Sequence, residues 1–195
     1  APLVFTALLV FLDALVDFYQ EFKKLKQSFT KPNIIGTIIT DGGIAPNIIP
    51  AKATLRATIR SLDTDYLEEV MLPQIKKLAQ KIAQKHQTQL KMHHYEPLYK
   101  NLRSDKLLNQ YYQENFSLLG EKYTLLPDDF ADGSTDVGNV SHVTRTCQPT
   151  ICIGNNLFVH TLEFANACGS EYAKKQALIG AKAMAMTAID VLFEK

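Results

Sequence analysis

Residues Lys52 to Arg60 alternate without a break: Ala53, Leu55, Ala57 and Ile59 take one side, and Lys52, Thr54, Arg56, Thr58 and Arg60 the other. Successive side chains of a strand point to opposite faces. The stretch therefore predicts an antiparallel strand with one buried face and one solvated or functional face. Such a strand needs partners on its edges and cover on one face only. Ile34 to Thr40 is short and mostly β-branched, and it reads as a partner strand ending in a turn or bulge at Asp41-Gly42-Gly43. Residues 88–97 read as another.

The cover comes from two helices. Asp63 or Thr64 caps one, with Glu68 and Glu69 in its early turns. Leu67, Val70, Ile75, Leu78 and Ile82 form its core face, Lys76, Lys77, Lys81 and Lys85 its solvated face, and Pro73 predicts a kink. The other is read from the N-terminus. Its apolar run is broken by Asp13 and Asp17, and a spanning helix needs roughly 20 apolar residues. No positive charge precedes the run and no small-residue cleavage site follows it, as a signal peptide requires. Leu8, Leu12, Leu15 and Tyr19 instead recur at helical spacing, and Lys23, Lys24 and Lys26 suit the helix end. The order helix, strand, strand, helix, strand over 1–103 predicts an α+β sandwich, an antiparallel sheet with both helices on one face. A ferredoxin-like fold requires one further strand before residue 1.

A second unit is expected over 104–195. Residues 105–119 read as a helix and Lys122 to Leu125 as a short strand. Asp128 to Ser141 is a polar loop. Pro149 to Gly154 reads as a short buried strand containing Cys152, followed by an irregular stretch with His160. Ser170 to Phe193 is a long helix whose Ala177, Gly180, Ala181, Ala185 and Ala188 permit close packing against a neighbour. One buried strand, one long helix and a polar loop make a poor core, so this unit is expected to lean on a sheet outside the chain.

Composition narrows the function. The 21 Lys+Arg against 20 Asp+Glu leave a net charge of +1, which excludes a strongly basic nucleic-acid surface. Three cysteines cannot all pair with one another, which argues against a disulfide-stapled secreted scaffold and for a cytoplasmic protein without membrane attachment. The chain starts at Ala1 with no Met, and reads as a fragment.

Three segments carry a family resemblance. Gly42-Gly43 with Pro46-Asn47-Ile48-Ile49-Pro50 and the strand ending Ile59-Arg60 resembles the lid, or dimerisation, domain of the M20 metallopeptidases and amidohydrolases. Asp132 to Ser141 resembles a loop of their catalytic domain. His160-Thr161-Leu162-Glu163-Phe164, then Ala167-Cys168-Gly169-Ser170 and a small-residue helix, resembles their C-terminal metal-ligand segment. The wording is similar to subfamily D, which holds M20 domain-containing protein 2-like dipeptidases and aminobenzoyl-glutamate hydrolase-like proteins. The resemblance implies the second half of such an enzyme: a lid lacking its first strand, then the C-terminal part of an α/β zinc-peptidase-like catalytic domain. It implies two divalent metal ions, usually zinc, that polarise an amide carbonyl and activate water. It also implies small dipeptide or N-acyl amino acid substrates, and a homodimer formed through the lid.

The resemblance places individual residues. His160 matches the last metal ligand; read without the motif, it is a loop or capping histidine. Asn47 matches a lid asparagine that donates to substrate or an oxyanion, or it holds a local turn. Arg60 matches a lid arginine that grips a carboxylate, or it is a solvated edge charge. Gly133, Ser134 and Asp136 match a loop beside the substrate pocket, or form a side-chain-held turn.

The family's His-x-Asp and lid histidine are absent from this chain, Val10 replaces a usual Asn, and Glu68-Glu69 lies in a helix rather than in the family's catalytic pair. A lone His160 does not hold two metals, so the isolated chain is expected to be inactive. His93-His94 on a strand would point to opposite faces and not chelate one ion. His86 is expected to meet the last carbonyls of its helix. Cys147, Cys152, Cys168 and His160, with His142 nearby, match no compact zinc spacing. The rival reading is a non-catalytic dimerisation or binding module from a truncated or degenerate relative.

Overall fold

β1 (Pro2–Leu8) lies between two other strands, pairing antiparallel with β3 (Lys52–Ser61) on one side and β4 (Gln89–His94) on the other. β2 (Asn33–Asp41) adds to the far edge of β3, so the sheet runs β2-β3-β1-β4, antiparallel throughout. The computed structural model describes residues 2–8, 12–127 and 133–193. The chain divides into two compact units, Ala1–Asn101 and Leu102–Lys195.

β1 corrects the expectation of an N-terminal helix and of a first strand missing from the chain. A short apolar run of this kind does not separate helix from strand by periodicity. Leu3 is fully buried, and the helix begins only at Leu12. The alternating stretch behaves as read: Ala53, Leu55, Ala57 and Ile59 are all buried. They meet Leu15, Phe18 and Phe22 of α1 (Leu12–Ser28) and Ile75, Ala79 and Ile82 of α3 (Leu72–Lys85), so both helices cover one face. The opposite face carries Ile34, Ile38, Arg56 and Arg60, all exposed. The register slips between Ile39 and Asp41, where a turn or bulge was expected.

Asp63 caps α2 (Thr64–Tyr66), its carboxylate accepting from the Tyr66 N–H at 2.9 Å while also pairing with Lys31. A π-helical turn, Leu67–Met71, joins α2 to α3, with Leu72 N–H reaching back to the Leu67 carbonyl. Pro73 lies at the start of α3 and has no N–H to give the preceding turn. The predicted kink is thus a widened turn that still buries Leu67 and Met71.

The second unit pairs α4 (Lys106–Leu118) with α7 (Glu171–Leu192) through Tyr112, Phe116 and Ala183. Gly180 lies against Ile151, whose Cδ1 would be 3.0 Å from an added Cβ. Asn115 Nδ2 donates to Asp190 Oδ2 at 2.7 Å and to Thr187 Oγ1 at 3.2 Å inside this interface. Of the five small residues expected to face a neighbour, only Gly180 is buried; Ala177, Ala181, Ala185 and Ala188 are exposed. The buried side of α7 is small or polar, whereas Leu178, Met184, Ile189 and Leu192 are exposed.

Lys122 to Leu125 and Pro149 to Gly154 form no strands, and Cys152 is exposed rather than buried. A strand persists only when paired, and no strand is present among the described residues of this unit. The irregular stretches instead hold two short helices, α5 (Val137–Ser141) and α6 (Leu162–Cys168).

Candidate metal-ligand and substrate site

His160 ends the loop before α6 with its backbone at φ 66°, in the left-handed region. Non-glycine residues are uncommon there, and such conformations gather at functional sites. The loop is tied down one residue later. Thr161 Oγ1 donates to the Phe158 carbonyl at 2.7 Å and accepts from the Phe164 N–H at 3.2 Å, capping α6. The imidazole is exposed and lines an open cavity of about 500 Å³ with Gly133, Val159, Thr161, Phe164 and Ala165. Two of the residues singled out in the sequence, His160 and Gly133, therefore meet in one cavity.

Ser134 and Asp136 follow Gly133 on the exposed approach to α5 and are not among the lining residues. This turn is held by Thr135, whose hydroxyl donates to Asp136 Oδ1 at 3.4 Å and accepts from the Val137 N–H at 3.3 Å. Ser141 closes the far end, donating to the Gly138 carbonyl at 2.6 Å and accepting from the Arg103 N–H at 2.9 Å. Asp132 and the start of the polar loop lie outside the described residues, as does Val10.

In the first unit, Asn47 is exposed in the loop between β2 and β3. The turn beneath it is closed by the backbone, Ile48 N–H to the Ala45 carbonyl at 3.2 Å. Gly43 sets the start of this loop at φ 111°, and a Cβ there would come within 2.7 Å of the Pro50 ring. The glycine is required by conformation and by contact, which explains the Gly-Gly and Pro pair flanking Asn47. Arg60 is exposed near the end of β3, opposite Ile34. Arg56, on the same face, lies 5.5 Å from the Tyr95 ring centre.

The other histidines behave differently from one another. Val4 pairs with His93 and Leu3 with His94, so the two imidazoles take opposite faces of the sheet. His86 does not seek helix carbonyls with its ring. Its Nε2 lies 2.9 Å from Asp17 Oδ2, to which Lys85 Nζ also donates at 2.7 Å, tying α3 to α1. Both contacts hold the Asp17 carboxyl below its usual pKa. Among the described residues no group of three His, Cys, Asp or Glu could hold a metal ion. The described residues by themselves thus form no metal centre. Sequence reasoning missed Val159 and Ala165 as cavity walls. The available signal was a lone histidine set in a mostly apolar run, Leu157 to Ala165.

Comparison with known proteins places this arrangement. The peptidase dimerisation domain of the M20 family matches residues 6–91. The Xaa-Arg dipeptidase of Homo sapiens is 33% identical over 187 residues, which is 94% of this chain and 42% of the relative. The Xaa-Arg dipeptidase of Mus musculus is 32% identical, over 94% of this chain and 43% of its own length. The chain thus spans less than half the length of the curated relatives it matches. A dinuclear metal binding peptidase of the M20 family from Bacillus subtilis shares the fold over 74% of this chain and 38% of its own, with a TM-score of 0.53 at 14% identity. No helix among the described residues is long and apolar enough to cross a membrane. With relatives of this kind along nearly its whole length, the chain belongs to the M20 peptidase family.

Proposed function

We propose that the chain is the lid and C-terminal catalytic segment of a metal-dependent amidohydrolase of the subfamily D type, cleaving small dipeptides or N-acyl amino acids. The observation that carries this reading is the cavity that brings His160 and Gly133 together beside a strained, capped loop. His160 supplies one ligand to a centre of two divalent ions, zinc being the usual choice, and the remaining ligands come from outside these residues. A neutral imidazole suits that role. Gly133, Ser134 and Asp136 border the substrate, Asn47 donates to it, and Arg60 grips its carboxylate. The isolated 195-residue chain is inactive.

The first unit is then the lid, a ferredoxin-like sandwich, and its boundary with the catalytic segment falls near residue 103. The βαββαβ order and the strand order β2-β3-β1-β4 support this. Its β2 has a neighbour on one edge only, which suits a homodimer built by pairing two such edges. The exposed Leu178, Met184, Ile189 and Leu192 of α7 suit a sheet contributed by the rest of the catalytic domain. Three unpaired cysteines fit a reducing, cytoplasmic setting.

The test is His160→Ala in the complete polypeptide. One metal equivalent and most activity are lost while the far-UV spectrum is kept. Two equivalents retained would remove His160 from the site. A second reading, a non-catalytic dimerisation module, is favoured by the lack of a complete metal-ligand group among the described residues. It predicts a stable dimer and no tightly bound metal in the complete polypeptide.

A further inference from the structure

The helices cover one face of the sheet in the first unit, and the other face carries a charge pattern of which the amide-hydrolase reading uses only Arg60. The register sets Ile38, Arg56, Val4 and His93 in one row across the four strands, with Ile34 opposite Arg60. Lys91, two residues before His93, shares the face. Arg56, Arg60, Lys91 and His93 are exposed, and Ile34 and Ile38 are 63% and 62% exposed. The outward residues of β2 from Ile34 to Ile38, of β3 from Thr54 to Arg60 and of β4 include no carboxylate. Lys52 differs, since Asp41 lies 3.4 Å from its Nζ. Arg56 is also held in place. Its guanidinium lies 5.5 Å from the Tyr95 ring centre, a cation–π distance, and the Tyr95 hydroxyl is 3.3 Å from Thr58 Oγ1. An arginine stacked in this way loses less freedom when a carboxylate meets its planar fork.

We propose that this open sheet face docks a partner protein through a surface of carboxylates set among apolar side chains. The unopposed cations select carboxylates. Arg56 and Arg60 stand about 13 Å apart on β3, and Lys91 lies two strands, or about 10 Å, away. That spread suits several carboxylates on one surface rather than a single small anion. Exposed Ile34 and Ile38 beside Arg56 and Tyr95 mix apolar area with Arg and Tyr, the residues enriched at protein interfaces. Nucleic acid is disfavoured by the middle of the sheet. Sheets that read single strands stack bases on aromatic rings of the central strands, whereas Thr54, Arg56 and Thr58 of β3 and Val4 of β1 stand there. Four strands about 4.8 Å apart and roughly 20–25 Å long give a face of about 450 Å². Two such surfaces bury under about 1,000 Å² in total, the size of a weak, transient contact. Its charge makes the contact salt-sensitive.

The test titrates the complete polypeptide with a capped peptide of five Glu-Val repeats and follows the isoleucine methyl resonances. At low salt the Ile34 and Ile38 methyls shift and saturate, while those of the buried Ile75 and Ile82 stay in place. Arg56→Glu with Lys91→Glu weakens binding at least about tenfold, as does raising salt to about 0.5 M. Arg56→Lys keeps the charge but loses the planar stack, and weakens it about two- to threefold. Arg60, which the amide-hydrolase reading gives to the substrate, is left unchanged. Unmoved Ile75 and Ile82 methyls show that a variant keeps its fold. Where Arg56→Glu moves them, Lys91→Glu alone carries the comparison, with about a threefold weakening expected. A peptide of five Glu-Gly repeats shifts Ile34 and Ile38 less, and one of five Lys-Val repeats does not shift them. Absence of the Glu-Val shifts, indifference to charge reversal, or equal shifts from either control peptide overturns the proposal. So does a ten-residue oligothymidylate that binds these methyls more tightly than the peptide, which would make the face a nucleic-acid surface. A dimer that dissociates in sedimentation when Arg56 and Lys91 are reversed would give the face to a second copy, and likewise overturns it.

Discussion

Asp105 combines two tasks in one side chain. Its Oδ1 accepts from the Leu108 N–H at 2.9 Å, capping α4, while Arg145 grips the carboxylate with Nε at 2.8 Å and a terminal nitrogen at 3.0 Å. The Arg145 contact, followed by the backbone donors, lowers its pKa to about 2. A carboxyl whose folded pKa lies below the unfolded value of about 3.9 contributes stability above that value and loses it as pH falls through the folded pKa. Asp105→Asn keeps a capping side chain but loses the charge. It is therefore expected to melt a few degrees lower than wild type at neutral pH, a modest effect because the pair is solvated. The gap narrows below about pH 4 and vanishes near pH 2. Thermal melts across that range check it, and a gap that persists at the acid end would sink the assignment. The opposite case is Cys147, whose thiol is pushed up by burial and then by the nearby Asp105 charge. It is accordingly a poor nucleophile at neutral pH. The Gly43 and Pro50 turn around Asn47 was legible in the sequence, because proline and glycine carry conformation in their own covalent structure. Val159 and Phe164 were not legible as a wall, since an apolar side chain gains a role only from what surrounds it.

At the scale of elements, the two units hold together by different means. α1 and α3 bury Phe18, Phe22, Ile75 and Ile82 on the sheet, which is ordinary apolar packing. α4 and α7 rely on Asn115 reaching Asp190 and Thr187 within a small core of Tyr112, Phe116 and Ala183. Asn115→Ala withdraws a buried donor from both acceptors and should cost about 1–3 kcal/mol. Hydrogen exchange should accelerate in α4 and α7 while α1 and α3 keep their protection. Equal loss of protection in both pairs would contradict the two-unit division. The same contrast explains what periodicity reached. β3 and α3 were readable because each has one wet and one dry face, which writes a period into the sequence. β1 was read as helix because its apolar run leads straight into the helical spacing of Leu8, Leu12, Leu15 and Tyr19. The Pro149–Gly154 strand was anticipated from apolar composition, yet composition does not supply the hydrogen-bonding neighbour a strand requires.

For the whole molecule, the assembly prediction concerns the outer edge of β2. Its Ile34 and Ile38 are exposed on the open face, so substitutions there leave the core untouched. If two copies pair through β2, the double variant Ile34→Lys with Ile38→Lys brings like charges together. Dimer dissociation should strengthen by at least about tenfold, read by sedimentation at two salt concentrations. An unchanged dimer would place the contact elsewhere. By itself the sequence determined the family, the alternating strand and the capped helix, because these depend on local periodicity and on residue types with intrinsic chemistry. Only the tertiary structure decided that Pro2–Leu8 is an inner strand, that α7 turns its polar side inward and its leucines outward, and that His160 shares its cavity with Gly133 and Phe164. Each of these depends on residues distant in sequence meeting in space. Burial and pairing energies are properties of the meeting, not of either segment alone.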